Sequence, residues 1–480
     1  MIDAIAYQRA KERFLNLLLE DPSNARRVLE KLDQLPPSKL ARFSPTHLAQ
    51  ALGIETDRLN PLLLVGVKAG LLEMTWDNHC SYCGSLVHGQ GSLNLLDTGF
   101  YCTLCEGDMT AHLDDQVEIN FRLARELGEP DFDPFKDAPS YEAYCFSEHL
   151  RRSEPVAQFI ENQAKRGFVG LDPGETGHLT AFAQVGERFR VISLENDARV
   201  YLNIVEGGPL GPVELRLTAA GFEPIGVEVG PGPLEVNLRN ELGHRAGALL
   251  LYTDQAHLFG LIQAGPPQFT PFVSGKDMLN HQPFRELFPV QNLPVDLSLN
   301  LRDLTILFTD LKGSTELYGS TGDRQAYQLV HTHFDLLTQA VRQHRGALVK
   351  TMGDAIMASF SKASDALDAA FTMLRSIEEF NEGLGAGRLG LKVGLHSGAA
   401  IAVNANQSLD FFGQTINIAA RVQGLAQAGE IRFTRPVMDQ PEVLSRLQSL
   451  GPLPEPQEAK LKGVSGWHEV YCITPLAAKV

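Results

Sequence analysis

Asp310 closes a short apolar run, Leu304 to Thr309, and the chain then passes through Leu311 and Lys312 into Gly313-Ser314-Thr315. A carboxylate at the end of a strand is well placed to hold Mg²⁺. Backbone N–H groups at the start of a following helix can cradle a phosphate. Taken alone, Asp310 reads equally well as a turn or N-cap residue. A second carboxylate, Asp354, follows Gly353 in a tight turn between the apolar runs Ala347–Val349 and Ala355–Phe360. Such a turn can bring Asp354 beside Asp310. Two carboxylates sharing a site repel unless a cation lies between them, so the pair points to a two-metal site for phosphoryl chemistry. Gly-Asp is also common in plain hairpin turns. In a third segment, Asp410 to Arg421, helix from Thr415 onward would put Asn417 and Arg421 four residues apart on one face. A guanidinium there suits charge building on a phosphoryl group, although either residue alone reads as part of an exposed face. Lys462, before Gly463 near the end, could reach a phosphate.

Order and spacing together are far more specific than any single piece. From about Leu299 to Thr474 the sequence resembles the catalytic domain of class III adenylate and guanylate cyclases. That resemblance implies a ferredoxin-like α/β fold and two Mg²⁺ or Mn²⁺ ions per active site, held by Asp310, Asp354 and the backbone carbonyl of Leu311. It further implies that Gly313, Ser314 and Thr315 cradle phosphate, and that Lys462 binds the terminal phosphates. Asn417 and Arg421 would stabilise the transition state. Lys350 and Asp410 match the positions that read the purine. A lysine can donate to adenine N1 and an aspartate can accept from its exocyclic amine, whereas guanine mismatches both. Buried mismatches cost about 1–3 kcal/mol each, so the pair argues for ATP and cyclic AMP rather than GTP. In the family, metal carboxylates and the Asn/Arg pair of one site come from different subunits; one chain carrying both half-sites is therefore expected to act as a homodimer. A degenerate cyclase that only binds nucleotide, or a cyclase for another nucleotide, is the competing expectation. His396 reads as structural, since it falls in an interior strand.

Four of the six cysteines are paired: Cys80-Ser81-Tyr82-Cys83 and, 18 residues on, Cys102-Thr103-Leu104-Cys105. Two CxxC knuckles at this distance fit a tetrahedral ribbon around one structural Zn²⁺, with a redox dithiol as the alternative. The flanks, Trp76-Asp77-Asn78-His79 and Glu106-Gly107-Asp108, are not basic. Together with a net charge of −16, this argues against nucleic-acid binding and against an anionic membrane surface.

The elements that must position these groups follow from periodicity. Residues 1–75 read as a helical region and 76–110 as the Cys₄ ribbon. Residues 111–265 read as a mixed, helical or irregular stretch to about 165, then a β-sandwich-like domain, with clean alternation in Val213–Leu217 and Leu234–Leu238. Residues 266–298 read as a linker with one short helix at Phe284–Phe288, and 299–474 as the catalytic domain. The expected class is multidomain α+β. Apolar residues make up 44% and charged residues 21%, ordinary values for globular protein. No apolar run reaches the roughly 18 residues that span a bilayer, and the first residues lack a signal-peptide core. A cytoplasmic protein is expected, with a regulatory ligand or partner of unknown kind at its N-terminal region.

Overall fold

The computed structural model describes residues 2–18, 21–87, 99–110, 112–288, 299–312, 323–382, 389–405 and 408–474, with only the backbone of 323–330. Gly313, Ser314 and Thr315 lie outside the described residues. The chain divides into two compact units: Met1–Ala111 with Asp115–Val273, and His112–Asp114 with Ser274–Val480.

The first unit opens with five helices between Ala4 and Lys68. Asp3, Asp21 and Ser44 cap three of them, each side chain accepting from backbone N–H groups of the first turn. The helical reading of residues 1–75 needs correction at its end, and so does the helical or irregular reading of 111–165. Leu72–His79 is a strand, paired antiparallel with Val117–Leu123 so that Trp76 faces Ile119. Alternation of Leu72, Met74 and Trp76, all buried, explains this: a period of two suits a half-buried sheet, not a helix. Further on, nine strands between Lys165 and Tyr252 form a five-stranded and a four-stranded sheet. Phe189, Val191, Val200 and Leu202 from one sheet and Leu215, Leu217, Val236 and Leu238 from the other share a single apolar core.

The second unit contains β1 (Leu299–Lys312), β2 (Gly346–Met352), β3 (Ala355–Phe360), β4 (Gly390–Ala405), β5 (Ser408–Phe412), β6 (Ile431–Thr434), β7 (Gln457–Ala459) and β8 (His468–Ile473). These form one sheet in the order β2-β3-β1-β4-β6-β8-β7, with β5 paired to β4. The helices are α1 (Gly275–Leu279), α2 (Gln282–Leu287), α3 (Asp323–Gln343), α4 (Ala363–Glu382), α5 (Gln414–Gly424), α6 (Arg435–Met438) and α7 (Pro441–Leu450). The run β1-α3-β2-β3-α4-β4, with its strands antiparallel in the order β2-β3-β1-β4, is the ferredoxin-like split βαβ arrangement. Leu304 to Phe308 are buried without a break, as a central strand covered on both faces requires. Leu337, Ala340 and Val341 of α3 and Ala366, Ala370, Met373 and Ile377 of α4 pack with Leu307 and Leu311 of β1. Residues 274–288, read from the sequence as linker, hold two short helices that belong to this unit. Apolar Met278, Leu279 and Phe284 are buried there, which no solvated linker would allow.

His333 and His396 of this unit are buried neutral. Burial, the largest cause for each, holds His333 and His396 down to about 4. His396 sits in β4 and its Nδ1 is 2.7 Å from Thr434 Oγ1, a structural position. As pH falls from about 6.5, the unfolded chain gains protons that the folded one refuses until about 4. Stability is therefore complete above pH 6.5 and is lost through the window 6.5 to 4, by about 3 kcal/mol per histidine. Urea unfolding followed between pH 7.5 and 4.5 should show a midpoint falling across that window, less steeply in His333→Gln; a flat profile would contradict the burial.

Candidate active site and cysteine centre

The carboxylates are placed by strand register. Phe308 of β1 faces Met357 of β3, and Ile356 N donates to Thr309 Oγ1 at 3.1 Å. The ladder thus ends two residues before Asp310 and three after Asp354, so the end of β1 and the β2–β3 turn lie at the same end of the sheet. Gly353 makes this turn possible with φ +64°, a conformation that a side chain disfavours. His333 of α3 holds the turn from behind, its Nε2 3.3 Å from Asp354 O. Asp310 is not left alone: Lys392, opposite it on β4, donates from Nζ to Asp310 Oδ2 at 2.9 Å. Lys392 and His333 escaped the sequence reading. Their only signals were a cation in an otherwise apolar strand, Leu391–Leu395, and a histidine on the buried face of α3.

The two purine-reading candidates meet. Lys350 Nζ donates to Asp410 Oδ2 at 2.6 Å, and Phe411 N donates to Asp410 Oδ1 at 2.8 Å. Asp410 is largely enclosed and Lys350 more open, with side chains 15% and 40% exposed. Asn417 and Arg421 lie one turn apart on α5 and both are exposed. Helix α5 approaches β4 so closely that a Cβ on Gly394 would stand 2.2 Å from Gln423 N; only glycine tolerates that approach. Thr415 anchors the helix start by donating to Ala399 O at 2.5 Å. Lys462 is exposed in the turn Leu461–Val464.

With this geometry in view, comparison with known proteins identifies the region. Residues 298–474 match the adenylate and guanylate cyclase catalytic domain. The C-terminal region belongs to that family. Residues 11–134 match a family of unknown function. Relatives include adenylate cyclases from Mycosarcoma maydis, 28% identical over 192 residues (35% of this chain, 7% of that protein), and from Anabaena cylindrica, 26% identical over 151 residues (29% and 30%). The chain thus spans less than a third of either relative's length. Among solved structures, the adenylyl cyclase CyaB from P. aeruginosa is similar at 19% identity and TM-score 0.32, covering 37% of this chain and 95% of that one. The guanylyl cyclase Cya2 is similar at 19% and 0.33, covering 36% and 91%.

The cyclase-domain carboxylates offer hard oxygen donors, the set that suits Mg²⁺ or Mn²⁺. Asp310 and Asp354, with the Leu311 carbonyl, would hold such ions. The Lys392 ammonium competes for the same Asp310 oxygen, so removing it should ease cation entry. Lys392→Gln is expected to lower the half-saturating Mn²⁺ concentration about threefold in equilibrium binding; weaker binding would show that Lys392 orients Asp310 instead.

The second centre lies in the first unit. Cys80, Cys83, Cys102 and Cys105 have all four Sγ atoms within 4.8 Å of one another. Cys80 and Cys105 are 3.8 Å apart, Cys83 and Cys102 3.6 Å. Disulfides would require about 2.05 Å, whereas thiolates about 2.3 Å from a tetrahedral zinc stand about 3.8 Å apart. The donor set fits one Zn²⁺. Cys105 N donates to Cys102 Sγ at 3.4 Å, and hydrogen bonds from Cys105, Cys80 and Cys83 draw the Cys102 thiol well below its ordinary range. Arg190 of the neighbouring sheet clasps the second knuckle, donating to Leu104 O at 2.9 Å and Glu106 Oε1 at 3.3 Å. Ligand atoms of His47, Glu148 and His149 also converge. There, however, the Lys39 ammonium already pairs with Glu148, and both His149 nitrogens meet hydroxyls of Ser44 and Thr270. Elemental analysis should find one zinc per chain, lost together with thermal stability of the first unit in Cys80→Ser/Cys102→Ser; zinc retained by that variant would overturn the assignment.

Proposed function

We propose that this protein is an adenylate cyclase that converts ATP to 3′,5′-cyclic AMP and pyrophosphate, working as a homodimer in the cytoplasm under control of its N-terminal region. The observation that carries the reading is the Lys350–Asp410 pair, an ammonium and a carboxylate 2.6 Å apart. Its donor faces adenine N1 and its acceptor the exocyclic amine. Guanine offers the reverse polarity at both atoms, and each unsatisfied buried group costs about 1–3 kcal/mol. The adenylate cyclase relatives support the same substrate. Among the described residues no helix is long and apolar enough to cross a membrane.

Each residue then has a task. Asp310, Asp354 and the Leu311 carbonyl would hold the cations, whose positive charge would offset the phosphates and favour loss of the ribose 3′-hydroxyl proton. Gly313, Ser314 and Thr315 would cradle phosphate. Lys350 and Asp410 fix the purine, so that the ribose oxygen lines up with the α-phosphorus opposite the departing pyrophosphate. Asn417 and Arg421, lent by the partner subunit, steady the ribose and the charge that grows on the transferring phosphoryl group. Lys462 neutralises the terminal phosphates. Exposure of Asn417 and Arg421 suits groups that complete a site across an interface.

Purified protein given ATP or GTP with Mg²⁺ or Mn²⁺ should form cyclic AMP in preference to cyclic GMP. Asp310→Ala should lower turnover about a thousandfold without unfolding the protein. Lys350→Glu with Asp410→Cys should move preference towards GTP. Binding of ATP without any cyclic product would instead favour a nucleotide-binding regulator. Mixing inactive Asp310→Ala with inactive Arg421→Ala should recover about a quarter of wild-type activity, because half the dimers are mixed and each regains one intact site. No recovery would exclude sites shared between subunits.

A further inference from the structure

The strands that carry Lys350 and Asp410 do not pair with each other. Lys350 lies on β2, the edge of the sheet, while Asp410 lies on β5, which pairs with β4. Among the described residues no ladder of backbone hydrogen bonds joins these two strands. Helix α2 spans the gap instead. Gln282 Oε1 accepts from Leu348 N at 2.7 Å, where the β2 register shifts between Leu348 and Lys350. Its amide nitrogen is held in turn by Glu286, 2.8 Å away. From the same helix, Arg285 Nη1 donates to Leu409 O at 2.9 Å, and the guanidinium stands 5.2 Å from the centre of the Phe411 ring. Leu409 and Phe411 flank Asp410. Arg285 Nε is fixed on Leu279 O at 2.8 Å, so the arm cannot swing freely. Burial draws this guanidinium down to about 10, and the nearby Asp410 charge opposes the fall.

We propose that Gln282 and Arg285 are positioning residues for purine recognition: α2 clamps β2 and β5 at the register where the Lys350 ammonium and Asp410 carboxylate meet. This rests on the reading of that pair as the purine contact. Neither residue touches substrate. Each acts on backbone close to a residue that does, Gln282 at Leu348, two residues before Lys350, and Arg285 at Leu409, next to Asp410, and small misplacements at a binding site are costly. The preceding helix α1, which Arg285 grips through Leu279 O, is fixed as well. Ser274 and Asp277 form a capping box on α1, and Lys276 pairs with Asp114 at 3.1 Å.

The test is steady-state kinetics of the full-length protein with ATP and with GTP. Arg285→Ala and Gln282→Ala should each raise KM for ATP about tenfold and lower the ATP:GTP preference by a similar factor, with kcat changed by less than about threefold. Arg285→Lys, which can still donate to Leu409 O, should recover part of the loss. In a Lys350→Ala/Asp410→Ala background, Arg285→Ala should add less than about a twofold effect, since nothing is left to position. Unchanged KM and preference in folded variants would overturn the proposal, as would an undiminished effect of Arg285→Ala in that background. Should Arg285→Ala fail to fold, Gln282→Ala carries the same comparison. The substrate reading fails by a different result, wild-type protein that forms no cyclic AMP; equilibrium affinity for ATP still reports the clamp in that case.

Discussion

Everything chemical in the cyclase domain depends on the antiparallel ladder that β1 makes with β3 on one side and β4 on the other. Asp310 stands near the end of this 14-residue strand. Its neighbours follow from the pairing: the Asp354 turn through β3, and Lys392 through β4. Side chains alternate strictly across a strand, so a slip of one residue would send Asp310 to the opposite face and bring Thr309 or Leu311 to the site. Polar contacts mark the register, since a slip would break the bond from Ile356 N to Thr309 Oγ1 and the Lys392–Asp310 pair.

Charge is arranged locally against the background. The chain as a whole is acidic, at −16, which is unfavourable for a polyphosphate. Within the site, two of the carboxylates already have an ammonium: Asp310 has Lys392 and Asp410 has Lys350. Such pairs are partly exposed and add modestly to stability. In the proposed reading their value lies in pre-organisation, since side chains already held in place would need less ordering on binding. The same logic extends outward to α2, which fixes backbone on which the Lys350–Asp410 geometry rests.

The cysteine centre answers a different problem. Its strands, Leu86–Val87, Gly99–Cys102 and Gly107–Thr110, are too short to bury much apolar surface, so four converging sulfurs have to stand in for a core. Arg190 and its two acceptors join that small element to the adjoining sheet.

What was legible in the sequence was chemistry set by short spacing. Two residues between cysteines give a knuckle, Gly-Asp gives a turn, and a step of four from Asn417 to Arg421 gives one helical face; each is local geometry that the chain carries wherever it folds. Alternation in Leu72–Trp76 and Val117–Leu123 was equally available and was passed over, because its meaning depends on the two runs finding one another across more than 40 residues. Lys392, His333, Gln282 and Arg285 left almost no local trace. Their roles arise from strand order, from register and from the packing of α2 across two strands that share no ladder. The sequence by itself thus determined which groups this protein possesses and their local presentation, while long-range pairing alone decided which of them meet, because hydrogen-bond register and burial act between segments that sequence proximity does not link.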